Sequence, residues 1–164
     1  MVVSVAACND RSDPRVLRIG LAEEPRTLNV WLASDANSRK VLSLIYQPLF
    51  TYDPKTLKMV PWLAEAMPVY DESAHSYTIK LRDARWSDGT AFTSADVAFT
   101  GRLVQSFNVP RHASKWRFIE RVETPDPRTV VFYLTEPTAA FLAGTVFTPI
   151  VQEKEWAEIA AQAK

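Results

Sequence analysis

The spacing of apolar and polar residues changes period several times along this chain, and each change predicts an element. Residues 16–21, VLRIGL, set Leu17, Ile19 and Leu21 against Val16, Arg18 and Gly20, which predicts a strand with one buried face. AEEPRTLNVW then leaves that strand through Pro25 as a loop. The polar run 34–38 offers helix N-caps, and Val41, Leu42 and Ile45 share one face of the helix expected after it. Pro48 ends that helix.

From residue 49 the pattern becomes strands and turns. Asp53-Pro54 is a turn signal, and Pro61 predicts a helical turn through Leu63 and Ala64. Val69-Tyr70 and residues 77–81 flank a polar linker as a hairpin, with Tyr77, Ile79 and Leu81 on one face. Ser87-Asp88-Gly89 is a turn tripeptide. Thr93-Ser94-Ala95-Asp96 follows with a capping-box layout, opening a helix whose apolar face carries Val97, Gly101, Val104, Leu103 and Phe107. Strands at 119–124 and 129–134 enclose the turn Pro125-Asp126-Pro127-Arg128. A short helix is expected at 139–142. A final amphipathic helix places Trp156, Ile159, Ala160 and Ala163 on one stripe.

Composition narrows the class. In 164 residues, 19 basic and 19 acidic side chains cancel, so the chain lacks the positive field that nucleic acid or an anionic bilayer would attract. The segment 111–118 interleaves His112, Lys115 and Arg117 with Trp116 and Phe118. With zero net charge it reads as a loop that packs its aromatics inward and leaves its cations wet. No apolar run approaches the ~18 residues of a membrane-spanning helix. Cys8 is the only cysteine, so no internal disulfide forms, and His75 and His112 stand in no metal-ligand spacing; neither a metal nor a cofactor is expected.

Three carboxylates, Asp83, Asp88 and Asp96, crowd the stretch 77–99 and raise the question of catalysis. Nothing nearby supplies a partner base or a reason for a raised pKa. Asp88 is therefore read as a turn residue and Asp96 as a helix cap. The N-terminus, MVVSVAACNDRSDP, places small residues before Cys8 and a polar stretch after it. That layout resembles the end of a bacterial lipoprotein signal, with Cys8 as the lipidated residue and residues 1–15 as a truncated signal and tether.

The stretch 62–104 carries a wider resemblance. Leu63-Ala64-Glu65, the run YTIKLR at 77–82, Trp86-Ser87-Asp88-Gly89 and the run FTSADV at 92–97 resemble, in order, the signature of the bacterial family 5 extracellular solute-binding proteins. EEPRTLNV resembles that family's first loop, with Asn29 where aspartate is common and Val30 where proline is common; EPTAAFLAGTVFTPIV is similar to its return segment. The resemblance implies an α+β fold, the N-terminal portion of a type II, three-domain receptor with mixed sheets and flanking helices. It implies large-lobe segments at 16–45 and 151–164 around a small inserted domain at 46–150.

It further implies a monomeric, non-enzymatic receptor in the periplasm or cell envelope. Such a receptor binds a peptide or similar small solute between the large lobe and a third domain, and hands it to ABC permease subunits. Glu24, Pro25, Thr27, Leu28 and Asn29 are the candidate ligand-binding residues, because loops at the carboxyl end of a strand line such crevices. The alternatives are a solute-sensing domain of a transcriptional regulator, or an enzyme built on Asp88 and Asp96.

Overall fold

The computed structural model describes residues 15–16 and 18–163, so Cys8 and the rest of the proposed signal lie outside the described residues. In chain order the elements are α1 (Ala36–Ile45), β1 (Phe50–Tyr52), β2 (Met59–Pro61), β3 (Val69–Asp71), β4 (Ser76–Lys80), α2 (Ser94–Ser106), α3 (Ala113–Trp116), β5 (Ile119–Asp126), β6 (Thr129–Leu134), α4 (Ala140–Ala143) and α5 (Glu153–Gln162). A 3-10 turn, Thr145–Phe147, precedes α5. The mixture of helix and antiparallel sheet matches the α+β expectation.

A four-stranded antiparallel sheet in the order β3-β4-β6-β5 forms the centre. Period-two alternation in TVVFYL buries Val130, Phe132 and Leu134 while Val131 and Tyr133 stay half-exposed. Ile79 pairs with Val130 and Tyr77 with Phe132, so the apolar positions of β4 and β6 lie on the same face. Tyr77 stacks on Phe141 of α4 at 4.5 Å, and α2 packs its Val97 and Val104 into this core. On the other face the Arg121 guanidinium lies 3.5 Å from the Tyr133 ring centroid. Pro125 is tolerated inside β5 because β5 is an edge strand whose register shifts between Glu123 and Asp126.

The motif carboxylates do structural work, and more than their local sequence signals. Asp88 Oδ1 accepts from the Thr90 amide and hydroxyl at 3.0 and 2.6 Å, closing the turn that Gly89 completes at φ +84°. Its Oδ2 accepts from Gln152 and Lys154, both at 3.2 Å. The Thr90 hydroxyl, with these added donors, holds the Asp88 carboxyl far below the usual carboxylate range. Asp96 is buried; its Oδ2 accepts from the Thr93 amide at 3.0 Å and the Trp86 indole at 3.1 Å, and its Oδ1 from the Glu153 amide at 2.9 Å. The cap of α2 thus also fixes the start of α5. One turn further along α2, the Thr100 hydroxyl accepts from the Val151 amide at 3.1 Å.

Two sequence expectations fail for tertiary reasons. Among the described residues 18–21 there is no strand, and Ile19 is 47% exposed. Alternation alone makes no strand without a neighbour to satisfy its backbone, and no described strand pairs with this segment. Pro61 ends β2 instead of starting a helical turn: the Trp62 and Ala64 amides donate to the Leu49 carbonyl, and Ala64 bridges to Leu81. Pairing across the chain overrides the local Pro signal there. The 111–118 loop holds the one-turn α3, with Trp116 buried as expected.

Candidate functional site

The loop before α1 is built by its own polar side chains. Thr27 Oγ1 accepts from the Asn29 amide at 3.0 Å, and Asn29 Oδ1 accepts from the Trp31 amide at 2.9 Å. The Thr27 amide donates to Ser38 Oγ at 3.2 Å, which ties the loop to the first turn of α1. Asp35 caps that helix through the Ser38 amide at 2.8 Å. An asparagine at position 29 closes this Asx turn as an aspartate would, because only the side-chain oxygen is used. Of the sequence-predicted residues, Thr27 and Asn29 are brought together, Pro25 is half-buried, and Glu24 and Leu28 are exposed, Leu28 by 59%.

None of those five lines the main cavity, which begins one residue later. Val30, Trp31 and Ala33 from the loop, Arg39, Leu42 and Ser43 from α1, Tyr46 after it, and Arg111, His112 and Lys115 from the segment around α3 enclose about 440 Å³. Trp62 and Phe147 complete an apolar wall. The His112 ring meets Trp31 edge-on at 5.5 Å, and Trp31 in turn meets Trp156 of α5 at 6.0 Å. Trp31 Nε1 and His112 Nδ1 are buried without a hydrogen-bond partner among the described residues.

Arg111 has the left-handed φ of +68°, a conformation that costs a non-glycine residue of order 1 kcal/mol. Its Nη1 donates to the Ala33 carbonyl at 3.4 Å. Sequence reasoning passed over Arg39 and read the cations of 111–118 as wet, whereas His112 and Lys115 are half-buried and line the cavity with Arg111. The run RHASK signals cations, but not that the backbone aims them at a loop nearly eighty positions earlier.

The electrostatics of this wall are readable from His112. Burial first, then the charges of Lys115 and Arg111, lower its pKa from 6.5 to about 4. The unfolded chain therefore takes up this proton first as pH falls. The stabilisation is complete above about pH 6.5 and is lost between pH 6.5 and about 4. Asp35, Asp53, Asp71 and Asp126 have carboxyls lowered from 3.8 by hydrogen bonds, so their contributions fade below that window. Urea midpoints of the parent chain should drop across pH 6.5–4, and His112→Asn should flatten that limb; an unchanged slope in the variant contradicts the assignment.

Among the described residues no group of three or more His, Cys, Asp or Glu could hold a metal, and no helix is long and apolar enough to cross a membrane.

The fold is that of solute-binding receptors. The periplasmic binding protein AgaA from A. tumefaciens R10, solved with agropinic acid, superposes with a TM-score of 0.74 at 30% identity, over 84% of this chain and 28% of that one. The oligopeptide-binding protein AppA from Bacillus subtilis, solved with a nonapeptide, superposes at 0.71 with 22% identity over 80% of this chain and 26% of that one, which shows the shared fold. The sequence pattern of the bacterial extracellular solute-binding proteins, family 5 Middle, matches residues 58–163, and the chain belongs to this family.

A Brucella ovis protein named as an ABC transporter peptide-binding protein is 38% identical over 98 residues, 59% of this chain. The protein DdpA of Escherichia coli, named as a probable D,D-dipeptide-binding periplasmic protein, is 31% identical over 133 residues, 77% of this chain and 25% of its own length. The chain spans only 18% of the length of the Brucella relative. These relatives are named as binding proteins, and the transcriptional-regulator alternative draws nothing from them.

Proposed function

We propose that this chain is the opening part of a receptor that captures a peptide or similar small solute and delivers it to ABC permease subunits, with no chemistry of its own. The observation that carries the reading is the 440 Å³ cavity, where an apolar wall and convergent polar side chains meet as they do in solute pockets. The loop with Glu24, Pro25, Thr27, Leu28 and Asn29 leads into the cavity-lining Val30 and Trp31 and is the proposed ligand loop: Thr27 and Asn29 hold its shape, and Glu24 and Leu28 are exposed. Large-lobe segments at 16–45 and 151–164 flank a small domain at 46–150. The contact between the two crossings supports those bounds, since the Ile150 amide donates to the Gln47 carbonyl at 3.0 Å. The receptor works as a monomer in the periplasm or cell envelope, held to the membrane through a lipid on Cys8.

Capture by burial needs a second wall. The relatives' greater length supplies the chain from which it would be built. Calorimetry with a library of di- to pentapeptides should show no micromolar binding by the 164-residue chain alone. The same chain completed with the remaining lobes of the E. coli relative should bind at micromolar strength or better. Micromolar binding by the chain alone, or no binding by the completed receptor, would overturn the reading.

A further inference from the structure

We infer that the cavity between the loop, α1 and α3 is a subsite for a carboxylate of an organic acid. The inference rests on the receptor reading only for where the solute enters. Three cationic side chains, Arg39, Arg111 and Lys115, line one cavity, and no aspartate or glutamate lines it with them. Ion pairs elsewhere do not occupy them: the salt bridges among the described residues involve Lys80, Arg102, Arg121, Arg128 and Lys154. Asp35, which does not line the cavity, caps α1 with its Oδ1 accepting from the Ser38 amide.

The cations are placed and not merely present. Arg111 is aimed by its left-handed backbone and steadied by one bond to Ala33, which leaves the rest of its guanidinium fork for an acceptor. The Lys115 stem packs against Gly144, where an added Cβ would lie 3.1 Å from Lys115 Cγ. Burial first, and then the charges of Lys115 and Arg111, lower the pKa of His112 beside them. A planar guanidinium matches a carboxylate with two parallel hydrogen bonds. Trp31, Leu42, Trp62 and Phe147 add apolar surface that suits a carbon skeleton, beside the polar Ser43, Gln47 and Thr51.

The test uses the 164-residue chain, ¹⁵N-labelled, at ionic strength held constant with potassium chloride so that general screening does not change. Succinate is titrated against the neutral isostere succinamide and against inorganic phosphate. Succinate should produce saturable shifts at the Trp31 indole and at the 39, 111 and 115 amides, with a dissociation constant of about a millimolar, the scale of one or two net charge-assisted hydrogen bonds. Succinamide should produce none, and phosphate should bind at least about tenfold more weakly.

Arg39→Gln and Lys115→Gln should each weaken succinate about tenfold while the amide spectrum stays dispersed. Arg111→Gly, which glycine's freedom at positive φ favours for folding, should do the same without loss of stability. Shifts absent, shared equally by succinamide, matched by phosphate, or unchanged in all three variants would overturn the inference. Peptide binding by the completed receptor is read with different probes. Its failure would remove the receptor reading alone, and failure with succinate would remove only the carboxylate subsite.

Discussion

Replacing Asp96 with alanine should cost this fold about 3–4 kcal/mol, a large share of the ~5–15 kcal/mol that holds a typical domain. Three donors converge on that buried carboxylate: the Thr93 amide, the Trp86 indole and the Glu153 amide. Each loses a charge-assisted bond and must find water from a half-buried position. The bond lost from the Thr93 amide is also the reciprocal half of the capping box that opens α2. Asp96→Asn should recover part of the loss, because one amide oxygen can still accept while the NH₂ faces a donor. Urea unfolding monitored by tryptophan fluorescence is the measurement. A cost below about 1 kcal/mol would mean that the carboxylate does not join α2 to α5. A variant that kept its stability but lost a turnover activity would revive the enzyme alternative.

Gly101→Ala should destabilise by about 2 kcal/mol, against the direction that helix propensity gives. Glycine inside a helix ordinarily costs about 1 kcal/mol relative to alanine, so the substitution would stabilise an open helix. Here an added Cβ would lie 2.4 Å from Cζ3 of Trp116. That ring has little room to yield: it is 1% exposed, its Nε1 donates to Thr148 at 2.9 Å, and its edge meets Phe132 at 6.0 Å. Trp116→Phe in the Gly101→Ala background should restore part of the stability by removing the atoms that clash. Thermal unfolding of the single and double variants decides it; a Gly101→Ala chain more stable than its parent would show that the ring shifts freely.

These two residues show where sequence reading works. Asp96 was legible as part of a cap because the TSAD layout is local, and its near neighbour Thr93 supplies one of its three partners. Its bond to the Glu153 amide was not, since 57 positions of chain had to fold back first. Gly101 appeared only as a small residue on an apolar helix face. Nothing in the helix says that a tryptophan fifteen residues later would lie flat against it. The 69–81 hairpin and the 119–134 hairpin were readable because alternation and turn residues act between near neighbours.

The strand expected at 16–21 and the helical turn expected at Pro61 were misread for one shared reason. Backbone donors and acceptors take whichever partners the tertiary fold offers, and a local signal is only a bid for them. The site divides in the same way. The loop at 24–29 was a candidate from its place in the chain, yet the cavity begins one residue later, and the cations of its wall could not be named.

The sequence by itself determined the hairpins, the capped helix α2, the turn at Gly89 and the family to which the chain belongs, because each depends on side chains within a few positions of one another. Only the tertiary structure decided that Asp88 and Asp96 clasp the segment at 152–154. It alone placed Trp116 in van der Waals reach of Gly101, and brought Arg39, Arg111 and Lys115 to a single cavity. Those contacts link residues from fifteen to more than sixty positions apart, and their geometry exists only after the intervening chain has packed.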